Sequence, residues 1–188
     1  MKTPVSKEFY DNLNPLVFNG PLFQKRANQI TKLLLKRPVK RIFEAASGGS
    51  VLAETILTTI PLELYVWTDF CPKFIASAEE RLGKLKPTCA VQIREFDIDK
   101  QFQEINWDYH DTFICVSMEH LANDVELIKS IPAGKRILLS CPNLDAEDHL
   151  RVLKNIDDVK ERYGEFLDVK EFIKFDIFTI VDGVRKAE

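Results

Sequence analysis

The chain has 188 residues, a net charge of −3 and an apolar fraction of 45%. That length suits one domain with a sizeable buried core. The acidic balance argues against a nucleic-acid partner, because a phosphate-driven binder would show a basic face. No run approaches the roughly twenty apolar residues of a membrane span, and residues 1–8 hold no apolar stretch of the kind a leader needs, so neither a membrane partner nor a signal peptide is expected.

The four cysteines, Cys71, Cys89, Cys115 and Cys141, form no C-x-x-C pair, so neither a zinc site nor a dithiol redox site is expected from them. Cys115 and Cys141 sit inside apolar strand-like runs and read as buried thiols. Such usage fits a reducing, cytoplasmic setting.

Along the chain, residues 1–23 mix apolar side chains with Pro4, Pro15, Gly20 and Pro21, which break any long helix. Phe9, Tyr10, Phe18 and Phe23 make this arm too apolar for a free tail, so it should pack on the domain. Residues 22–36 predict a helix, with Phe23, Ala27, Ile30, Leu33 and Leu34 at three- and four-residue spacing, ended by Pro38. A first strand covers 41–44, and small residues from Ala45 to Ser50 lead into a helix closed by Pro61. A second strand, 63–68, ends at Asp69, and Pro72 opens a helix with Phe74, Ile75, Ala78 and Leu82 inward. The third strand, 90–96, ends at Asp97, and 100–108 reads as a polar loop or short helix. The fourth strand, 112–117, is nearly all apolar, as expected of a strand covered on both faces. A helix over 124–131, a turn over 132–135 and a fifth strand over 136–141 follow. Residues 146–163 read as a charged helix, and 165–175 and 177–181 as two closing antiparallel strands with core aromatics.

This alternation predicts an α/β fold: a doubly wound, mostly parallel seven-stranded sheet, Rossmann-like, with the last strand antiparallel, in a single domain over 1–188. In such a sheet ligands bind outside the carboxyl ends of the strands. After the first strand stand Glu44, Ala46, Ser47, Gly48 and Ser50. Small residues there expose backbone amides, and the start of the next helix offers unpaired N–H groups to a carboxylate or phosphate. Asp69 lies about twenty residues past Gly48, the usual distance for an acid that binds two ribose hydroxyls; its two acceptor oxygens match a vicinal diol. Asp97 followed by Ile98 suits an adenine edge, with an acceptor for the exocyclic amine and an apolar face for the ring. Each acid also suits a helix cap, and Gly48-Gly49 also suits a plain turn. The order loop, acid, acid over three strand ends carries more than any piece.

These pieces, with Ser117-Met118-Glu119-His120-Leu121 and the run from Pro132 to Asn143, resemble a class I S-adenosylmethionine-dependent methyltransferase of the small-molecule type, with a degenerate glycine loop. The resemblance covers about residues 22–181. It implies S-adenosylmethionine as cofactor and methyl transfer to a small-molecule acceptor. It places Glu44 toward the methionine amino group and Ala46, Ser47 and Gly48 against the methionine part. Asp69 would bind the ribose with Phe70 beside the adenine, Asp97 and Ile98 would hold the adenine, and Ser117 would meet the methionine end. The arm and first helix, 1–36, would pack over the cofactor side, with Arg26 reaching the cofactor carboxylate or the substrate and Tyr10 or Phe18 as cover. His120 is the candidate catalytic base, or else it pins the next helix together with Glu119. Asn143 and His149 are candidate substrate contacts.

The loop departs from the family pattern at Ala46 and Ser50. Both are small and neither is expected to need a positive φ, so weakened or reshaped cofactor binding, rather than none, is expected. The 116–120 stretch also resembles the metal-binding E-x-x-E-H of small-RNA 2′-O-methyltransferases, but Val116 stands at the first glutamate's position, so no metal is expected. The alternative to an enzyme is a non-catalytic methyltransferase-like binding or scaffold domain.

Overall fold

The computed structural model describes residues 7–187; residues 1–6 of the arm, Pro4 among them, and Glu188 lie outside the described residues. Seven strands take the order β3-β2-β1-β4-β5-β7-β6, and the chain parts into two compact units, one over residues 7–98 and one over 99–187.

The first unit opens with α1 (Lys7–Asp11) and a 3-10 turn over Pro15–Asn19, which Asn14 caps by accepting the Leu16 N–H at 3.0 Å. Next comes α2 (Pro21–Lys36). Proline suits its first position, since the missing N–H would have no partner there. It buries Ala27, Ile30, Thr31, Leu33 and Leu34 along one stripe. Arg37, the residue before Pro38, is extended at φ −133°, and so the helix stops.

The parallel strands of this unit are β1 (Arg41–Ala45), β2 (Leu64–Asp69) and β3 (Ala90–Glu95). Arg41 pairs with Leu64, and Leu64 with Ala90, so β2 lies in the middle. The rest of β2 beyond Leu64 is buried, whereas every residue of β3 is half-buried or exposed, as suits an edge strand. The connections are α3 (Val51–Thr59) and α4 (Pro72–Leu82), again with proline first.

In the second unit α5 (Ile98–Gln101, its first residue from the preceding unit) and two short 3-10 turns lead to β4 (Thr112–Cys115). Then come α6 (Asp124–Ser130), β5 (Arg136–Pro142), α7 (Ile156–Tyr163), β6 (Leu167–Phe175) and β7 (Phe178–Arg185). β4 and β5 are parallel, and β7 is antiparallel to both β5 and β6. A buried pair ties the middle of this unit: Arg136 donates to both carboxylate oxygens of Asp182, at 3.0 and 2.7 Å.

The expected helix over 146–163 is only half there. Residues 150–154 are irregular, and α7 starts at Ile156 behind an Asn155–Asp158 capping box. The reason is competition for backbone and side-chain bonds. The Leu150 N–H goes to the Glu119 carbonyl at 2.8 Å, the Arg151 guanidinium to the Met118 and Leu121 carbonyls, and the Leu153 carbonyl to Thr179 Oγ1 at 2.9 Å. These distant partners replace the local i−4 ladder. Of the closing aromatics, Phe178 is buried, while Phe172 and Phe175 on β6 are half-buried.

Candidate functional site

Glu44 is the penultimate residue of β1 and is fully buried. The Tyr65 hydroxyl donates to its Oε2, and among the described residues no hydrogen-bond partner reaches its Oε1. Burial pushes its carboxyl up to about 8, against the pull of the Tyr65 bond and the nearby Arg26 charge. Tyr65 is a partner that sequence reading missed. The strand register that sets Ile42 against Tyr65 and Glu44 against Trp67 brings the two together, and no spacing in the sequence signals it.

The loop after β1 folds onto β2. The Ser47 N–H donates to the Thr68 carbonyl at 3.1 Å, and Ser47 Oγ donates to the Glu44 carbonyl at 3.3 Å. Ala46 has φ 48° and Gly48 φ 58°. The expectation that Ala46 needs no positive φ is therefore wrong. Two left-handed residues, with Ser47 between them, turn the chain from strand to helix, and a Cβ at such a φ costs on the order of 1 kcal/mol. A Cβ built on Gly48 would meet nothing within 4 Å, so open space borders the loop there. Gly49 is small for a different reason: a Cβ would come within 2.6 Å of Phe18 Cβ and 2.9 Å of Asn19 Oδ1, in the 3-10 turn of the arm.

Asp69 is buried, and both its oxygens take backbone donors: Oδ2 the Gly48 N–H and Oδ1 the Cys71 N–H, each at 2.9 Å. Burial, the larger effect, lifts its carboxyl to about 6 against the pull of these bonds, with Asp97 adding like charge. Asp97 is thus its electrostatic neighbour and half-buried, while Ile98 is buried at the start of α5. Phe70 is half-buried and meets the Tyr10 ring edge-on at 5.2 Å. Cys71 Sγ donates to Asp11 Oδ1 at 3.4 Å, a second tie between the arm and the β2 end. Phe18 packs on Phe23 and Phe74. The Arg26 guanidinium lies over the Phe23 ring at 5.1 Å.

In the second unit Ser117 is half-buried and starts the 3-10 turn Met118–His120 after β4. His120 places Nδ1 3.1 Å from the Asp148 carbonyl oxygen and Nε2 3.3 Å from Glu119 Oε1. Burial holds its pKa below the usual histidine value. His149 places Nδ1 3.0 Å from the Leu144 carbonyl oxygen, and the two imidazoles meet edge-on at 5.4 Å. The Asn143 side-chain amide donates to the Asp176 carbonyl at 3.3 Å, in the β6–β7 turn. Arg151 and Asp124 were missed as supports. Asp124 is fully buried, 3.2 Å from Arg151 and bonded by Arg162 and the Tyr163 hydroxyl. Cys71, Cys115 and Cys141 are buried free thiols, as read for the last two. No helix among the described residues is long and apolar enough to cross a membrane.

With acids at or just beyond the ends of β1, β2 and β3, the sheet has a Rossmann-like fold shared with solved methyltransferase structures. Among solved structures, N-methyltransferase NodS of Bradyrhizobium japonicum WM9, in complex with S-adenosyl-l-homocysteine, superposes with a TM-score of 0.69 at 13% identity, over 96% of this chain and 97% of that one. The [4+2]-cyclase SpnF gives a TM-score of 0.73 at 11% identity, over 100% and 98%. A probable polyketide synthase 13 of Dictyostelium discoideum is 28% identical over 128 residues, 60% of this chain; the match spans only 5% of that protein's length. No protein-family model matches the chain.

Proposed function

We propose that the chain is an S-adenosylmethionine-dependent methyltransferase domain acting on a small-molecule acceptor. The carrying observation is Glu44: a carboxyl near the end of β1, fully buried, with one oxygen bonded by Tyr65 and the other without a hydrogen-bond partner among the described residues. A buried acceptor without a donor is costly. An ammonium group at that oxygen removes the cost, and the methionine end of the cofactor carries one. The open side of Gly48 leaves room for a ligand along the loop. The complex of NodS with S-adenosyl-l-homocysteine supports this choice of cofactor for the fold.

In this reading Ala46, Ser47 and Gly48 lie against the methionine part. Asp69 already accepts one N–H at each oxygen, and a carboxylate oxygen has capacity for a second bond. That leaves room for the ribose hydroxyls. Phe70, Asp97 and Ile98 serve the adenine, Ser117 the methionine end. Tyr10, edge-on to Phe70, is the part of the arm suited to exclude water. When bound, the cofactor supplies a methyl group already activated on a sulfonium. The protein then has to position the acceptor and, for an acceptor protonated at working pH, remove a proton. His120 is the residue for that proton: its Nδ1 faces a carbonyl and so carries the hydrogen, which leaves Nε2 as the basic nitrogen. Arg26, Asn143 and His149 remain the substrate-side candidates. The free thiols support a cytoplasmic site of action.

A second reading rests on the Gly48–Asp69 bond and on Ala46 at φ 48°. If that strained, self-closed loop never opens, the chain is a non-catalytic methyltransferase-like domain. Calorimetric titration with S-adenosylmethionine and S-adenosylhomocysteine separates the two. Wild type is expected to bind, and Asp69→Ala to bind at least tenfold more weakly. No heat with wild type at millimolar ligand sinks the enzyme reading, and binding unchanged by Asp69→Ala means the site lies elsewhere.

A further inference from the structure

Tyr65 and Glu44 are both fully buried, and the Tyr65 hydroxyl donates to Glu44 Oε2. We infer that, given the cofactor reading proposed for this site, Tyr65 is a positioning residue for the cofactor's ammonium group. It holds one Glu44 oxygen so that the other faces the ligand, and its hydroxyl favours the charged carboxylate that an ammonium needs.

Strand register brings the pair together. β1 and β2 are parallel, with Ile42 set against Tyr65 and Glu44 against Trp67. Residues two apart on a strand share a face, so Ile42, Glu44, Tyr65 and Trp67 stand on one face of the sheet. The phenol spans the diagonal from Tyr65 to Glu44. It carries one hydrogen, and a carboxylate oxygen only accepts, so the direction of the bond is fixed. Burial, with the Glu44 charge beside it, pushes the Tyr65 hydroxyl well above its usual value, so it remains a donor at neutral pH. With Oε2 held, the carboxyl cannot exchange its oxygens without breaking the bond. Oε1 is thereby kept as the oxygen with no hydrogen-bond partner among the described residues.

The same bond acts on charge. Burial raises the Glu44 carboxyl to about 8, and the Tyr65 hydroxyl gives the largest pull in the other direction. Two more charges act on it: Arg26 on α2 favours ionisation, and Asp69 at the end of β2 opposes it. Cys89, which acts on Tyr65, is itself raised by burial and stays a thiol at neutral pH. At pH 7 the empty carboxyl is therefore protonated, and with Oε2 accepting from Tyr65 its proton sits on Oε1. When Oε1 accepts from an ammonium N–H, the carboxyl proton leaves to solvent and the ammonium keeps its own hydrogens. A hydrogen bond to an ionised acceptor is roughly twice as strong as a neutral one, so the Tyr65 bond strengthens at that step. Losing the hydroxyl costs the ligand-bound state more than the empty one.

The test is calorimetry on wild type, Tyr65→Phe, Glu44→Gln and the double variant, each checked for folding by circular dichroism. One probe is S-adenosylhomocysteine, which carries the ammonium. The other is 5′-methylthioadenosine, which keeps the adenosine and the sulfur and lacks the amino-acid end. Tyr65→Phe is expected to weaken S-adenosylhomocysteine about tenfold at pH 7 and to leave 5′-methylthioadenosine unchanged. With Glu44→Gln already in place, the same change is expected to add nothing. Wild-type affinity for S-adenosylhomocysteine is expected to rise with pH up to about 8, and Tyr65→Phe to move that rise to higher pH. One readout needs no variant: the Tyr65 Cζ carbon signal of the wild type is expected to shift with S-adenosylhomocysteine and not with 5′-methylthioadenosine. Equal losses for the two probes, no loss, an unmoved pH rise or an unmoved Cζ signal would each overturn the role of Tyr65 while the cofactor reading stands. A wild type that takes up no S-adenosylhomocysteine overturns the cofactor reading and this role with it.

Discussion

Ala46 shows how much one methyl group decides. It sits at φ 48° in the turn between β1 and α3, where glycine is the usual solution. The left-handed backbone disfavours its Cβ, yet alanine limits the unfolded chain more than glycine does. The two effects oppose, and the steric one is larger at a φ this far into the region. Ala46→Gly is therefore expected to stabilise the protein by about 0.5–1 kcal/mol, read as a raised urea midpoint with an unchanged slope. A midpoint that falls would mean the turn tolerates the methyl without strain. Asp69 teaches a related point. An acid at the end of a strand reads in sequence either as a ligand or as a cap, and here it already receives the Gly48 and Cys71 N–H groups. In the structure both cap bonds are made, one to each carboxylate oxygen.

Among elements, the arm and the glycine loop are coupled through a close approach. The 3-10 turn over Pro15–Asn19 comes so near the loop that Gly49 has no room for a Cβ beside Phe18. Gly49→Ala is expected to push this turn off while α2 and the strands stay folded. Limited proteolysis reads the outcome: new cleavage within residues 8–20, with the remaining fragment protected. Protection equal to wild type would mean the loop, not the arm, gives way. Periodicity located α2, α3 and α4 to within a residue or two because each buries a local stripe. It failed over 146–155, where the bonds of Leu150, Arg151 and Leu153 run to residues far away in sequence. No local pattern announces such partners. The same segment delivers His149 to the Glu119–His120 pair.

At the scale of the whole molecule, stability carries an unusual pH sign. Most carboxylates in folded proteins are shifted down, and stability is lost toward acid. Exposed Glu63, Glu80 and Asp168 beside their lysines do follow that direction. Glu44 and Asp69 go the other way, raised to about 8 and about 6, chiefly by burial. A raised carboxyl contributes stability that is complete below its unfolded value and is lost as pH rises through the folded one. Global stability is thus expected to fall between about pH 4.5 and 8, by an amount on the order of a few kcal/mol. Glu44→Gln is expected to flatten most of that slope, measured by urea unfolding at several pH values. A slope identical to wild type would place the buried proton elsewhere.

By itself the sequence determined the alternation of strands and helices, the antiparallel close of the sheet, the positions of the acids after the strands and the burial of two cysteines, because period, composition and punctuation are local properties. Tertiary structure decided what those residues do for one another. It set Tyr65 against Glu44, bound Asp69 to the loop it follows in sequence, put the arm on Gly49, and gathered Glu119, His120 and His149. Each of these depends on strand register or on side-chain bonds between distant segments, and neither is written in the spacing of residues along the chain.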